Sequence, residues 1–350
     1  MASGKVKDFT ITSQEIYHGE HVPESYKTHK PSFFQEEVTF KIQHHTCVVN
    51  GLKRIIEDEM ENQCLDLEVD QIGQSDTHDP YLDKHFVIKR INGIPTSDKM
   101  PESFVLTPGL IENNTAITRV VYAGELGDSR YFNPAIRLFN LNPNKSIFIK
   151  KIHVSKGYGL DDANKYAQVC RTRFTPVTKI SSSSTDAPSE MMYNFTFLTN
   201  GTIDPVKYLQ RACDTLIDRL KIILDNVDTY ESVPFSNNTV SITKVGEIFH
   251  YTIESEYHTL GQLFTKFCLD VAPKIKFVSY KLIHVTINTV IILIRHPDHI
   301  TIFRDTIQQI VKTFTELKKE FVNPKKQNAL SESKKHYEAI VKMLQIAEQR

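Results

Sequence analysis

The chain of 350 residues carries 42 basic and 42 acidic side chains, so its formal charge is zero before its 14 histidines are counted. This balance excludes a polybasic nucleic-acid coat and an acidic disordered chain as descriptions of the whole protein. Hydrophobic residues make up 40% of the composition, which is enough for a sizeable core, and the length favours two domains.

Cysteine use and hydropathy indicate a protein of a reducing compartment. The five cysteines include no Cys-x-x-Cys pair, which favours free thiols. No apolar run follows Met1, so we expect no secretory signal. The most apolar stretch, residues 282–294, is shorter than the roughly 20 residues that a membrane span needs. We therefore expect buried strands there.

Polar stretches punctuate the chain. Residues 1–35 show no clear hydrophobic period and are predicted to form an irregular arm. Three further stretches, rich in serine, asparagine, proline or charge, are predicted loops or linkers: 181–190, 231–239 and 323–333. The last of them precedes a predicted amphipathic helix over residues 334–349.

A strand followed by an amphipathic helix occurs twice. Each strand is marked by three alternating apolar residues, namely Val38, Phe40 and Ile42 in the first and Phe249, Tyr251 and Ile253 in the second. Each helix has one apolar face, formed by Leu52, Ile55, Ile56 and Met60 in the first and by Leu260, Leu263, Phe264, Phe267, Cys268 and Val271 in the second. Asn50 is the predicted N-cap of the first helix. The repeat predicts two related modules in one chain.

Each module also carries a longer helix whose apolar residues recur every three or four positions. They are Leu209, Cys213, Leu216, Leu220, Ile223 and Val227 in the first and Phe303, Ile307, Ile310, Phe314, Leu317 and Phe321 in the second. Asp204 and Pro205 are the predicted cap and first residue of the first of these helices. A period of 3.5 is typical of a seam that faces another helix. Either each stripe covers the sheet of its own module or the two stripes face each other, and two matched stripes favour the shared interface.

The remaining apolar stretches predict strands. In the second module these are residues 274–283 and 289–294. A further group lies at 104–106, 116–123 and 147–154. This group predicts a β-rich subdomain inserted into the first module, over residues 97–190.

Several of these segments resemble the α-type subunits of cellular RNA polymerases. Residues 50–60, which begin Asn-Gly-Leu-Lys-Arg, resemble the Asn-x-Leu-Arg-Arg helix of that family. Residues 82–95 look like its Glu-Phe-x-x-x-Arg-Leu-Gly-x-Ile-Pro helix and turn. Residues 156–159, Lys-Gly-Tyr-Gly, followed by Ala163 and Tyr166, are similar to its Lys-Gly-x-Gly segment in the inserted subdomain.

The second module resembles the smaller α-like partner. Residues 256–263 read Glu-Tyr-His-Thr-Leu-Gly-Gln-Leu, close to its Asp/Glu-x-His-Thr-Leu-Gly-Asn-Leu signature, and residues 278–280 are similar to its Phe-x-Gly-Tyr strand. In most eukaryotic and archaeal polymerases the two subunits are separate chains that form a heterodimer. A single chain that contains both resembles the fused subunit of large cytoplasmic DNA viruses.

The resemblance implies an α+β fold in which two α-subunit-like dimerisation modules, each an antiparallel sheet with two long helices, pair pseudo-symmetrically. The implied divisions are an arm (1–35), a first module (36–96 and 191–230), an inserted β-rich subdomain (97–190), a linker (231–240), a second module (241–322) and a helical tail (323–350).

The function implied is that of a non-catalytic assembly platform in a DNA-directed RNA polymerase that supports transcription. Its expected partners are the largest and second-largest polymerase subunits and a small subunit, with DNA and RNA reached only through the assembled complex. No membrane, homodimer or cofactor is expected. A viral subunit of this kind would be found in viral factories of the host cytoplasm and in the virion.

Three groups of residues are the candidate sites. The predicted intramolecular seam comprises Leu52, Ile55, Ile56, Leu209, Cys213, Leu216, Leu220, Ile223, Leu260, Leu263, Phe264, Phe267, Phe303, Ile307, Ile310, Phe314 and Leu317. The expected contacts with a large subunit are Asn50, Lys53, Arg54 and Arg90. The signature motif is His258, Thr259, Leu260 and Gly261, in which we expect the first two to cap the helix and the glycine to allow close packing of paired helices.

Departures from the family pattern limit what is carried over. Lys53 replaces the first arginine of the usual pair, and lysine lacks the planar fork of arginine. Asp161 and Asp162 stand where a basic and an acidic residue are expected. The cysteine cluster that holds a metal in some larger α-like subunits is missing, so we expect no metal.

Other functions remain as alternatives. His44 with His45, His78 with His85, and His296 with His299 are the candidate ligands of a metal-dependent hydrolase, although none has a recognised ligand spacing. The lysines after residue 311 are interleaved with glutamates, which favours a solvated surface over a nucleic-acid module. A stand-alone protein-interaction scaffold is the third alternative.

Overall fold

The computed structural model describes residues 5–15, 23, 25, 34–73, 77–177, 191–199, 201–229, 240–284 and 287–328. Within them the fold is α+β. The helices are α1 (Thr46–Arg54), α2 (Lys84–Asn92), α3 (Ala163–Tyr166), α4 (Pro205–Thr229), α5 (His258–Val271) and α6 (His299–Glu320).

The strands form several separate sheets. They are β1 (Lys5–Glu15), β2 (Phe34–His44), β3 (Glu61–Asp66), β4 (Ile72–Gly73), β5 (Gly109–Asn113), β6 (Arg119–Tyr122), β7 (Arg137–Leu141), β8 (Lys145–Ile149), β9 (His153–Tyr158), β10 (Val169–Pro176), β11 (Met191–Thr199), β12 (Val240–Val245), β13 (Ile248–Glu254), β14 (Phe277–His284), β15 (Ile287–Arg295) and β16 (Lys325–Asn328). No helix among the described residues combines the length and the hydropathy that crossing a membrane requires.

The first sheet has the strand order β10-β11-β2-β1-β16, with all neighbours antiparallel except β1 and β16, which are parallel. Its apolar side chains alternate along the strands and are buried on one face. Phe40 of β2 lies opposite Phe195 of β11, and their rings stack with centroids 4.9 Å apart. Stacked aromatic pairs across strands fix the register of a sheet.

The expectation of an irregular arm is wrong for residues 5–15. This segment is strand β1, and its Phe9 and Ile11 are buried against the core. The alternation is short and stands among polar residues, so the local pattern alone was weak. The ring of Phe321, at the end of α6, packs edge-on against Phe9 at 6.2 Å between centroids. A contact from the far end of the chain therefore stabilises this strand.

The predicted loop and tail after residue 323 also need correction. Residues Lys325–Asn328 form β16, which pairs with β1 so that Lys325 lies opposite Thr10. Its polar sequence carries no hydrophobic period, because an edge strand of this kind forms through backbone hydrogen bonds alone. The helix predicted over 334–349 lies outside the described residues.

The second sheet has the order β12-β13-β15-β14 and is antiparallel throughout. Both strands predicted after residue 273 are confirmed as β14 and β15. Tyr251, Ile253, Val290, Ile292 and Ile294 form its buried face. Helices α5 and α6 pack against that face and against each other.

The inserted region contains β3 paired with β9, a β4-β8-β5 sheet and the β6-β7 hairpin, around a second apolar core. Leu65, Val87 and Ile91, which were predicted to belong to the first module, pack in this second core. A strand over 104–106 was also predicted there. Instead, Leu106 forms a single isolated bridge with Ile152.

The predicted N-caps of two helices, α4 and α1, can be compared with the structure. The Asp204 carboxylate accepts hydrogen bonds from the backbone N–H groups of Val206 (3.0 Å) and Lys207 (3.4 Å), so the predicted cap of α4 is confirmed. The predicted cap of α1 is wrong. That helix begins at Thr46, which places Asn50 inside it.

Candidate functional site

The two long helices, α4 and α6, pack against each other and run antiparallel. The Gln210 side chain donates to the carbonyl of Phe321 at 2.9 Å, and the Lys318 ammonium lies 2.7 Å from both oxygens of Asp214. From the first of these contacts to the second, the residue number rises along α4 and falls along α6, as it does in an antiparallel pair. Two helices from different halves of the chain are thus held face to face.

All the predicted seam residues lie in one continuous buried cluster that spans both sheets. The structure brings together the apolar stripes of α1 with the helical turn after it, α4, α5 and α6: Leu52, Ile55, Ile56, Leu209, Cys213, Leu216, Leu220, Ile223, Leu260, Leu263, Phe264, Phe267, Phe303, Ile307, Ile310, Phe314 and Leu317. Full burial of a large apolar side chain stabilises a fold by about 1.5–3 kcal/mol. Each half therefore depends on the other for part of its core.

Helix α1 crosses α5 at a second contact between the halves. Gly51 faces Thr259 and Leu263, where a Cβ atom would stand at 3.4 Å and 3.6 Å from their methyl groups. The Asn50 amide donates to the Gln262 side chain at 3.2 Å. Asn50, predicted as a contact for a large subunit, is thus used inside the chain.

A buried polar cluster joins the halves beside the apolar seam, and we call it the arginine lock. It consists of Arg219 on α4, Glu59 after α1, and Glu256 and Thr259 at the start of α5. The Arg219 guanidinium donates to both oxygens of Glu256 at 2.9 and 2.5 Å and to Glu59 at 2.8 Å. The Thr259 hydroxyl donates to the other oxygen of Glu59 at 2.5 Å. One cation therefore ties residues from both halves together.

The charged groups of the arginine lock interact strongly because its carboxylates are buried. The Glu59 and Glu256 side chains are only 4% and 5% exposed. Burial raises the pKa of Glu256, and the guanidinium of Arg219 opposes that shift. Burial alone would lower the pKa of Arg219, but the two carboxylates raise it well above its usual value. The two-pronged geometry is that of an ionised pair, which keeps both groups charged inside the fold.

The backbone before Glu256 is turned by an unusual residue. Ser255 has a φ of 57°, in the left-handed region that non-glycine residues rarely adopt. It separates the end of β13 from Glu256, which precedes α5. A conformation of this kind costs on the order of 1–3 kcal/mol, and the contacts of Glu256 with Arg219 offset it.

The signature residues do not cap helix α5 as predicted. The residue before the helix, Tyr257, makes no side-chain capping bond. His258 pairs through Nδ1 with the Tyr280 hydroxyl at 3.2 Å, and Thr259 serves the arginine lock. Leu260 is buried in the shared core, and a Cβ atom on Gly261 would overlap the ring of Tyr280. The glycine thus fits α5 against strand β14 of its own sheet and not against a paired helix.

This close approach predicts the effect of Gly261→Ala. The added methyl group forces the Tyr280 ring to move, at about 1–3 kcal/mol for overpacking, while alanine gains about 1 kcal/mol of helix propensity. We expect a net loss of up to about 2 kcal/mol in the free energy of urea unfolding. In a Tyr280→Ala background the same substitution is expected to stabilise the protein by up to about 1 kcal/mol. An equal cost in both backgrounds would contradict the assignment.

The basic residues predicted to contact a large subunit lie apart. Lys53 of α1 pairs with Glu57 at 3.7 Å, and both side chains are partly exposed. Arg54, also half-buried, lies near Asp58, whose pKa is raised by burial, and its charge opposes that rise. Arg90 lies on α2, where its guanidinium donates to the carbonyl of Leu138 at 3.0 Å. Arg90 thus belongs to the inserted region, away from α1.

Histidines of two of the three candidate pairs, His44 with His45 and His296 with His299, make contacts within the fold. The His44 Nδ1 atom accepts the backbone N–H of His45 at 2.9 Å. His299 bonds the Tyr251 hydroxyl at 2.6 Å and stacks on Phe249. Across the described part of the chain, no group of three or more His, Cys, Asp or Glu residues is placed to hold a metal ion. The five cysteines are free thiols.

His44 predicts an acid sensitivity. Burial lowers the pKa of His44 from 6.5 to about 4, and the charge of His45 adds to this. The unfolded chain therefore binds more protons than the folded one between these values, so stability falls as the pH drops from 6.5 towards 4. We expect a loss of up to about 3 kcal/mol from this group, measured by urea unfolding.

The matched variants for this prediction are His44→Asn and His153→Asn. The asparagine at position 44 keeps an acceptor for the His45 N–H but does not titrate, so it should flatten the pH dependence of stability. His153 is exposed on β9, and its replacement should leave that dependence unchanged. Equal slopes for wild type and His44→Asn would contradict the prediction.

Comparison with known proteins identifies viral relatives of the chain. No protein-family profile matches the chain. Three curated proteins named DNA-directed RNA polymerase RPB3-11 homolog, from warthog, tick and Badajoz isolates of African swine fever virus, are each 26% identical to it over 302 residues. The matches cover 77% of this chain and 83% of each relative. The chain is a homologue of these viral polymerase subunits.

This homology confirms the resemblance deduced from the motifs, that of an α-like RNA polymerase subunit of a virus. Neither the comparisons nor the histidine contacts support the hydrolase alternative.

The arginine lock is the part of the site that sequence reasoning missed. Glu256 stands out in the sequence only as the first residue of the signature motif, and Arg219, which lies between Leu216 and Leu220 of the stripe, does not stand out at all. A cation inside an otherwise apolar seam is a usable signal, because a charge is seldom buried without a partner. The partners of Arg219 are Glu59, which is 160 positions away in the sequence, and Glu256, which is 37 positions away.

Proposed function

We propose that this chain is the non-catalytic assembly platform of a viral DNA-directed RNA polymerase. It would do in one chain what two separate α-like subunits do elsewhere. The main support for this proposal is the homology to the RPB3-11 homologs. The core that both halves of the chain share adds to it. Linking two partners makes their association intramolecular, with an effective concentration that can reach about the millimolar range.

The proposal includes a pseudo-symmetric pairing of two dimerisation modules. In each, a sheet is covered by a shorter helix and a longer one, α1 and α4 in the first and α5 and α6 in the second. The packing of α4 on α6 and of α1 on α5 supports this arrangement. The seam of apolar side chains would hold the pair, and the arginine lock would fix its register, as buried polar groups do in other paired helices.

We assign the outer surface of the platform to the two large catalytic subunits, with a small subunit beside them. Lys53 and Arg54, half-buried on the flank of α1, would bind acidic groups there, and Arg90 would contact a partner from the inserted region. DNA and RNA would be reached only through the complex. Its place would be the viral factory in the host cytoplasm and the virion.

Affinity purification from infected material tests this function. The tagged chain is expected to recover both large polymerase subunits, identified by mass spectrometry, and to show no nucleotide incorporation alone. Lys53→Glu with Arg54→Glu should reduce that recovery, while Lys207→Glu, an exposed lysine on α4, should not. Recovery of the chain without any large polymerase subunit would contradict the proposal.

A further inference from the structure

A second surface, formed where the halves and the inserted region meet, has the composition of a docking site, and we call it the junction cleft. It is a cavity of about 380 Å³. The residues that carry the argument are Asp58, Tyr158, Leu160, Asp161, Ile222 and Glu254. They come from the helical turn that follows α1, the end of β9 and the loop after it, helix α4 and the end of β13.

The wall of the cleft is apolar but exposed to solvent. Tyr158, Leu160 and Ile222 are 43%, 46% and 54% exposed, although each is a large hydrophobic residue. Single exposed apolar residues are ordinary on protein surfaces, but several that line one cleft mark a site of interaction. The cleft thus has apolar area to bury against an occupant.

The charge of the cleft is one-sided. Its lining includes five carboxylates, Asp58, Glu59, Asp161, Glu254 and Glu256, and one cation, Arg219. Glu59 and Glu256 already bind that cation in the arginine lock. Within the described residues, Asp58, Asp161 and Glu254 are in no ion pair, so the cleft presents uncompensated negative charge. Such a field attracts cations and repels phosphate.

Asp58 shows that the negative charges act on one another. Burial raises its pKa first, and the neighbouring carboxylates of Glu57 and Glu59 raise it further. Arg54 and Lys53, on the preceding turn, oppose the shift without cancelling it. A cation placed in the cleft would relieve this repulsion.

The cleft is built on a fixed frame. The backbone N–H of Leu160 donates to the carbonyl of Asp58 at 3.1 Å, which holds the loop after β9 against the helical turn that follows α1. A Cβ atom on Gly159 would overlap the Glu57 carbonyl, so glycine is required for this approach. A preformed site of this kind lowers the entropy cost of binding.

We propose that the junction cleft binds an extended polypeptide segment of a polymerase partner that carries lysine or arginine beside apolar side chains. The inference rests on the proposed function, because it names the chemistry of one partner contact. The basic groups would pair with Asp161, Glu254 and Asp58, and the apolar groups would cover Leu160 and Ile222. A nucleic acid does not fit, since its phosphates would meet carboxylates.

Site-specific cross-linking tests the occupant in the assembled polymerase. A benzophenone amino acid replaces Ile222, and a second preparation carries it at Ile117, an exposed residue of the inserted region (74%). The Ile222 probe is expected to cross-link to one lysine- or arginine-bearing segment of a large or small polymerase subunit. Cross-links to an acidic segment, to a second copy of this chain or at no more than the Ile117 level would overturn the proposal.

Charge reversal gives an independent readout with purified large subunits. Asp161→Lys with Glu254→Lys is expected to weaken their binding at least tenfold. The control pair, Glu68→Lys with Asp305→Lys, makes the same change of charge at exposed sites elsewhere and should bind as wild type. Suppose that the wild-type chain recovers the large subunits, but the Ile222 probe gives no specific cross-link and charge reversal leaves the affinity unchanged. The cleft assignment is then wrong, while the proposed function stands. If no large subunit is recovered from wild type, the proposed function fails.

Discussion

Arg219→Ala is expected to destabilise the fold by about 3–5 kcal/mol, because it leaves two buried carboxylates without their cation. The residues affected are Glu59 and Glu256, each about one-twentieth exposed. The free energy of urea unfolding is the measurement. Lys221→Ala, on the same helix, removes an exposed ion pair with Asp218 and should change stability by less than about 1 kcal/mol.

The same variant should have a characteristic pH dependence. Without Arg219, the pKa of buried Glu256 rises further above the value of 4.5 in the unfolded chain. A carboxyl of raised folded pKa contributes stability that is complete below the unfolded pKa and is lost as the pH rises through the folded pKa. The deficit of Arg219→Ala relative to wild type should therefore grow from pH 5 to pH 8. Adding Glu256→Gln should remove most of that growth, and a constant deficit would argue against the lock.

Phe314→Ala is expected to loosen both halves of the chain, although Phe314 lies only in the second. The side chain is fully buried in the shared core, and a substitution of this kind costs about 3–5 kcal/mol. Hydrogen exchange followed by mass spectrometry should show β11 of the first sheet and β15 of the second losing protection together. Leu216→Ala, from the first half, should give the same pattern at about 2–5 kcal/mol.

A core substitution in the inserted region provides the control for this coupling. Leu138 is buried in the separate second core, so Leu138→Ala should raise exchange mainly in β7 and β8. If Phe314→Ala left the protection of β11 unchanged, the halves would be independent units. The idea of a shared core would then be wrong.

The elements that the sequence predicts well are those whose pattern is long. The six apolar positions of α4, its Asp204 cap and the matching stripe of α6 identify two helices without any knowledge of their surroundings. Over twenty residues the helical period is repeated often enough to exceed chance. The α+β class that the resemblance implies agrees with these helices and the alternating strands between them.

The elements that the sequence misses depend on distant partners. Strand β1 is completed by Phe321, more than 300 residues away, and β16 pairs with β1 through its backbone without a hydrophobic signal. The role of Gly261 is set by the Tyr280 ring, which no local rule places there. The same is true of Arg219, whose carboxylates reach it only after the halves have packed. Tertiary contact decides such positions, and a single sequence does not contain the distances.

Native mass spectrometry of the purified viral polymerase tests the central claim most directly, namely that one chain supplies both α-like partners. The account predicts one copy of this chain for one copy of each large subunit. Two copies of this chain in each polymerase would contradict it, since the complex would then be built on a homodimer.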